Sequence, residues 1–227
     1  MQKPYLIFLP FLILYAVIVL FFSKETLTVD EPSYLGFANN LLHGFYSPPP
    51  PNIDLWHGPG YPLLITPLVA LNAPLICLRL LNALLLYFSV ILFYRIIRAR
   101  FGYKPALILS VIFGCYWLAF KELPVIMTET FVFFLLMLIA NVASWYFNRD
   151  KIISSQLFLL SFLIAYLALT KIIFGYVLAI AFFIVLLCTI IRGKKNYKKA
   201  CLVLMTALVF TLPYLIYTYS LTGRFFY

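Results

Sequence analysis

The stretch TVDEPSYLGFANNLLHGFYSPPPPNIDLWHGPGYPLL, Thr28 to Leu64, carries both histidines and three of the seven acidic residues of a 227-residue chain. Asp30 and Glu31 are adjacent carboxylates placed just before a helical pattern. Tyr34, Phe37, Ala38, Leu41 and Leu42 recur on one helical face, Asp30 stands at the N-cap, and Gly44 follows the last periodic residue. This predicts a short amphipathic helix lying at a membrane interface, with ionised carboxylates at its N-terminus. Such a carboxylate can act as general base or metal ligand, or Asp30 can serve only as a cap. Further on, Gly58 and Gly60 let backbone approach a ligand closely, while Pro59 and Pro62 fix the course of the chain. His57 could donate a hydrogen bond to phosphate, or mark an interfacial turn beside Trp56.

Three other residues suit the same chemistry. Glu129 is expected about one turn inside an apolar span, where a charge costs about 2.5–3.5 kcal/mol on insertion scales and is a functional candidate by default. Lys121 could pair with it or bind phosphate. Lys171 is a second cation at membrane depth, whose simpler role is snorkelling to the headgroups.

The elements that must position these groups are apolar. The chain is 65% hydrophobic and 11% charged, with mean hydropathy +1.03, too greasy to cover a soluble globule. Its apolar runs approach the ~20 residues of a membrane-crossing helix and lack the alternation of a barrel strand. The fold class expected is all-α, a polytopic transmembrane helical bundle with short interfacial helices in a first outer loop spanning residues 24–73. About seven spans fit one transmembrane domain over residues 1–227: 5–22, 74–94, 105–120, 125–147, 156–170, 172–191 and 200–219. Lys3 precedes the first run, which has no small-residue cleavage site and reads as a retained signal anchor.

The net charge of +10 sits in the short loops 94–104, 148–151 and 192–199. That is the positive-inside pattern and not a nucleic-acid groove. It places every acid but Asp150 on the outer side, and with them His57, Lys121 and Lys171. Carboxylates and cations in one headgroup plane suit a reaction on a lipid-linked phosphate. The four cysteines lack metal-ligand spacing and read as small hydrophobes.

In order, DEPSYLGFANNLLHGFY, HGPGYPLLITPL and LPVIMTETFVFFLLMLIA resemble the N-terminal portion of the GT-C superfamily of membrane glycosyltransferases. The nearest groups are the protein O-mannosyltransferase-like and the aminoarabinose or galacturonic acid transferase-like families. The resemblance implies transfer of a sugar from a polyprenyl-phosphate donor to a lipid, glycan or protein acceptor on the non-cytoplasmic face, as at a bacterial inner membrane. It implies that Asp30 is the general base beside Glu31. It also matches the Pro-Gly-Tyr-Pro segment at Pro59 to Pro62, which brings in Tyr61, and the Thr-Glu pair at Thr128 and Glu129. His57 and Gly58 replace a phosphate-facing lysine of the aminoarabinose-type enzymes, which leaves phosphate to Lys121, to Lys171 or to an arginine not present in this sequence. The candidate site is then Asp30 and Glu31 for catalysis, with His57, Tyr61, Lys121, Glu129 and Lys171 for substrate and phosphate. A divalent metal ion on Glu31 or Glu129 is the one cofactor considered, although no ligand spacing demands it. Since the resemblance covers only part of such enzymes, the chain is expected to be the N-terminal part of a longer one and inactive alone. A rival class is a membrane transporter or lipid flippase with Glu129 and Lys171 along a polar path. The absence of an internal repeat weighs against it. A third is a membrane assembly subunit whose loop binds a partner.

Overall fold

The computed structural model describes residues 3–28, 30–149 and 153–224. Its helices, in chain order, are α1 (Pro4–Ile7), α2 (Leu9–Phe22), α3 (Glu31–Leu42), α4 (Gly60–Ala70), α5 (Leu75–Phe101) and α6 (Tyr103–Gly114). They continue with α7 (Trp117–Glu122), α8 (Glu129–Phe147), α9 (Ser154–Thr170), α10 (Ile172–Arg192) and α11 (Lys195–Thr222). No strand occurs among the described residues. Helices α5, α8, α10 and α11 are long and apolar enough to cross a membrane. The chain is an all-helical membrane protein. Three expected spans correspond to shorter helices: α2 has 14 residues, α6 has 12 and α9 has 17.

The chain divides into two compact units, Met1–Leu42 with Tyr61–Asn141, and His43–Gly60 with Val142–Tyr227. In the first, α5 packs against α2 and α6. Pro74 opens α5, Gly102 at φ 82° closes it, and Arg98 and Arg100 in its last turn complement the helix dipole. Its Ala83, Leu86, Val90 and Tyr94 form a core with Phe8, Tyr15, Val19 and Ala106. The end of α6 has a local cause. The Tyr15 hydroxyl donates to the Gly114 carbonyl at 2.7 Å, and the Phe11 ring fills the place a Gly114 side chain would take. That carbonyl is lost to the next helical turn, and the chain breaks at Cys115 before α7.

In the second unit, α9, α10 and α11 pack on one another around Ala165, Ala168, Leu178 and Ala207. Small residues at these crossings let helix backbones approach, the usual basis of helix association in lipid. Helix α11 starts earlier than the hydrophobic run, at Lys195. Lys199, expected in a solvated basic loop, is instead buried. Its Nζ donates to the Arg149 carbonyl and lies 5.4 Å from the Tyr146 ring centroid, so it caps the chain leaving α8.

Candidate functional site

Helix α3 forms as its spacing predicts, with Gly44 at φ 84° beyond its end. The face carrying Tyr34, Phe37 and Ala38 is not laid on lipid, however. All three are buried within the protein, and Glu31 joins them at 0% exposure. The two adjacent carboxylates therefore part company. Glu31 turns inward and Asp30 remains half-buried. Among the described residues, no hydrogen bond reaches the Asp30 side chain.

Glu31 is held by three chain segments. Its Oε1 accepts from Arg79 Nε at 3.2 Å, Arg79 Nη2 at 3.0 Å and the Ile126 amide at 2.8 Å. Its Oε2 accepts from the Thr28 amide at 2.8 Å and the Thr28 hydroxyl at 3.2 Å. Arg79, only 3% exposed, also donates through Nη1 to the Lys24 carbonyl. Burial pushes the Glu31 carboxyl up, but the amides of Ile126 and Thr28 and the Arg79 guanidinium outweigh it and hold the carboxyl below its ordinary value. With both oxygens occupied, Glu31 fits neither a metal ion nor a proton-accepting role. It positions its neighbours. Among the described residues, no group of three His, Cys, Asp or Glu converges to hold a metal.

One turn along α5, Asn82 completes the same bracket. Its Nδ2 donates to the Val125 carbonyl at 2.6 Å, and its Oδ1 accepts from the Thr130 hydroxyl at 2.9 Å. Backbone groups of 125–126 are thus held by side chains of α3 and α5, and α8 begins only at Glu129. This corrects the expected position of Glu129. It is the first residue of α8 and not a turn inside it. There the helix dipole favours a carboxylate, and the cost of a mid-span charge does not arise. The Thr128 hydroxyl donates to Glu129 Oε2 at 3.4 Å.

Tyr34 links these pieces. Its phenol, pushed up to about 12 chiefly by burial, feels Glu129 and Asp30 and bonds the Thr128 side chain. Tyr61, expected to meet substrate, is wholly buried. Its ring packs edge-on to Tyr34 at 5.1 Å and against Phe131 at 6.2 Å, and its hydroxyl meets no hydrogen-bond partner among the described residues. In this structure it supports Tyr34. Lys121 is exposed, with Nζ 4.6 Å from the Trp117 ring centroid. The ion pair the structure shows here is Arg79 with Glu31, rather than Lys121 with Glu129.

His57 and Lys171 belong to the second unit. The His57 carbonyl accepts from the Tyr46 hydroxyl at 2.8 Å. Lys171 is an extended, half-buried residue between α9 and α10, where the chain was expected to break. The close approach at Gly58 and Gly60 is to protein, not ligand. A Cβ at either would overlap the backbone or hydroxyl at Leu169–Thr170.

Sequence reading missed Arg79 and Asn82, although an arginine and an asparagine inside an apolar run were signal enough. The fold and the first unit's cluster define a helical membrane protein in which carboxylates and a buried phenol meet at helix ends. Comparison with protein-family models, curated proteins and solved structures finds no match for the chain.

Proposed function

We propose that the chain carries the acceptor-activating site of a glycosyltransferase that uses a polyprenyl-phosphate sugar at the non-cytoplasmic membrane face. The observation that carries this reading is the division of labour between adjacent carboxylates. Glu31 is saturated and buried, while Asp30 is half-buried beside Tyr34, next to the Thr128–Glu129 pair. In the reaction, Asp30 takes the proton of an acceptor hydroxyl as its oxygen bonds to the anomeric carbon. The bond from that carbon to the phosphate oxygen breaks, and the electron pair leaves on the prenyl phosphate, inverting the centre. Lys121 is the first unit's candidate phosphate ligand, and Glu129 orients the acceptor. The leaving group departs as an anion, so charge stabilisation replaces a strong general acid.

The test uses native membranes, which hold any further segment or partner that transfer requires, supplied with a panel of labelled polyprenyl-phosphate sugars. Donor retention and sugar transfer are both measured. Asp30→Asn is expected to retain donor and to cut transfer about 100-fold or more, the range for a lost general base. Near-normal transfer by that variant refutes the base assignment. Lipid translocation that survives Asp30→Asn and fails in Glu129→Gln favours the transporter class instead.

A further inference from the structure

The proline-rich loop of the second unit is held rigidly, yet it presents a tryptophan to the surroundings. The Tyr217 hydroxyl on α11 accepts from the Ser47 amide at 3.0 Å and from the Tyr46 amide at 3.4 Å. Ser47 Oγ accepts from the Asp54 amide at 2.8 Å, and Asp54 Oδ1 from the Trp56 amide at 3.2 Å. With the Tyr46–His57 bond, both ends of the loop are tied. Trp56 nevertheless remains 83% exposed, an arrangement that makes physical sense when something outside the protein receives the ring.

The position of the loop says what that is. Ile53, Asp54, Leu55 and Trp56 form one wall of an open slot of ≈ 520 Å³, and Ile172 and Tyr176 form the other. Ile172 is the first residue of α10, which is apolar enough to cross a membrane and in which Leu178 is the one residue fully buried by the protein. The slot therefore lies where a lipid-facing helix enters the hydrocarbon, the depth at which Trp and Tyr rings concentrate in membrane proteins. Asp54 is the one charged residue in its lining, so a headgroup bearing an ammonium complements it and an anionic headgroup does not.

We infer that loop 45–57 is a wedge seated in the lipid headgroup layer, and that the slot between Trp56 and Tyr176 takes a phospholipid with an ammonium headgroup. This is independent of the glycosyl-transfer reading. Trp56 and Ile53 enter the upper acyl region, Tyr176 closes the slot, and Asp54 meets the ammonium. The membrane then sets the height of the His57–Gly60 segment that follows.

Trp117→Phe with Trp145→Phe leaves Trp56 as the sole tryptophan of the three. The full chain is placed in vesicles of phosphatidylethanolamine or phosphatidylglycerol brominated near the glycerol end or near the chain terminus. Blue-shifted emission, quenched most by bromines near the glycerol end, is the expected result. Brominated phosphatidylethanolamine should quench about two- to fivefold more strongly than the glycerol lipid at equal mole fraction, as an exposed ion pair allows, and Asp54→Asn should erase the difference. Water-like emission indifferent to bromine overturns the wedge. Equal quenching by both lipids overturns the ammonium slot. Quenching by soluble methyl glucoside, with no response to brominated lipid, makes the slot a sugar platform and overturns both. If the double variant does not fold, benzoylphenylalanine in place of Tyr176 in the otherwise unaltered chain reads the same preference by photocrosslinking. Crosslinks favouring phosphatidylethanolamine support the slot, and protein-only or unselective crosslinks refute it.

Discussion

Replacing Arg79 by alanine should unfold the bracket that separates Asp30 from its neighbouring glutamate. Arg79 and Glu31 are 3% and 0% exposed, with Nη2 and Oε1 3.0 Å apart. Removing one partner of a buried ion pair strands the other charge, at a cost of about 3–5 kcal/mol. Glu31 would retain the amides of Ile126 and Thr28, which places Arg79→Ala toward the lower end of that range. The double variant Arg79→Met, Glu31→Leu removes both charges, but it leaves the Ile126 and Thr28 amides and the Lys24 carbonyl without these partners. Each buried orphan costs about 1–3 kcal/mol. The double variant should therefore be less destabilised than the sum of the singles, yet clearly weaker than wild type. Arg79→Lys, which keeps the charge and loses the planar fork, should fall between wild type and alanine. Equilibrium unfolding in mixed micelles gives the energies, and hydrogen exchange at the Ile126 amide gives the local readout. A loss below about 1 kcal/mol for Arg79→Ala, with unchanged exchange at Ile126, would place the pair with solvent-screened surface bridges and refute its role in holding the site.

The remaining expectations use the same contacts. Because the Glu31 carboxyl sits below its ordinary value of 4.5, its contribution is present above that pH and is lost as pH falls through the depressed folded value. Acid titration of stability should thus show a drop below about pH 4.5 in wild type that Glu31→Gln, less stable at neutral pH, lacks. Asn82→Leu leaves the Val125 carbonyl and Thr130 hydroxyl without their partner and should cost about 1–3 kcal/mol by the same unfolding assay. It should also speed exchange through 122–130, whereas Asn82→Ala at a distant-site cost of a few tenths would contradict the bracket. Gly58→Ala and Gly60→Ala push a methyl into Leu169–Thr170. Each should cost about 1–3 kcal/mol as overpacking, read as protease cleavage in the 43–60 loop at a denaturant level that leaves wild type intact.

What the sequence revealed was local, and what it concealed was a matter of long-range competition. The α3 helix was legible because its apolar period and its caps lie within a few residues of one another, and the break at Lys171 was legible as a lapse between two apolar runs. The start of α8 was not. Nothing local sets residues 125–128 apart from those that follow, and their backbone is held by Glu31 and Asn82, remote in sequence. The glycines announced a close approach without identifying the other surface, since any backbone or ligand exerts the same demand for a missing Cβ. The carboxylate pair shows the limit most clearly. Asp30 and Glu31 are chemically near-equivalent and adjacent, and nothing local distinguishes a base from a brace. The distinction comes from helical geometry combined with Arg79. Once Glu31 shares the buried face with Tyr34 and Ala38, it needs a counter-charge inside the apolar core, and α5 supplies one. Asp30, one residue earlier and off that face, stays half-buried, as the proposed role of proton acceptor requires. An arginine within a hydrophobic run is therefore the feature that draws Glu31 inward and sets it apart from Asp30, and its removal should blur the difference between them.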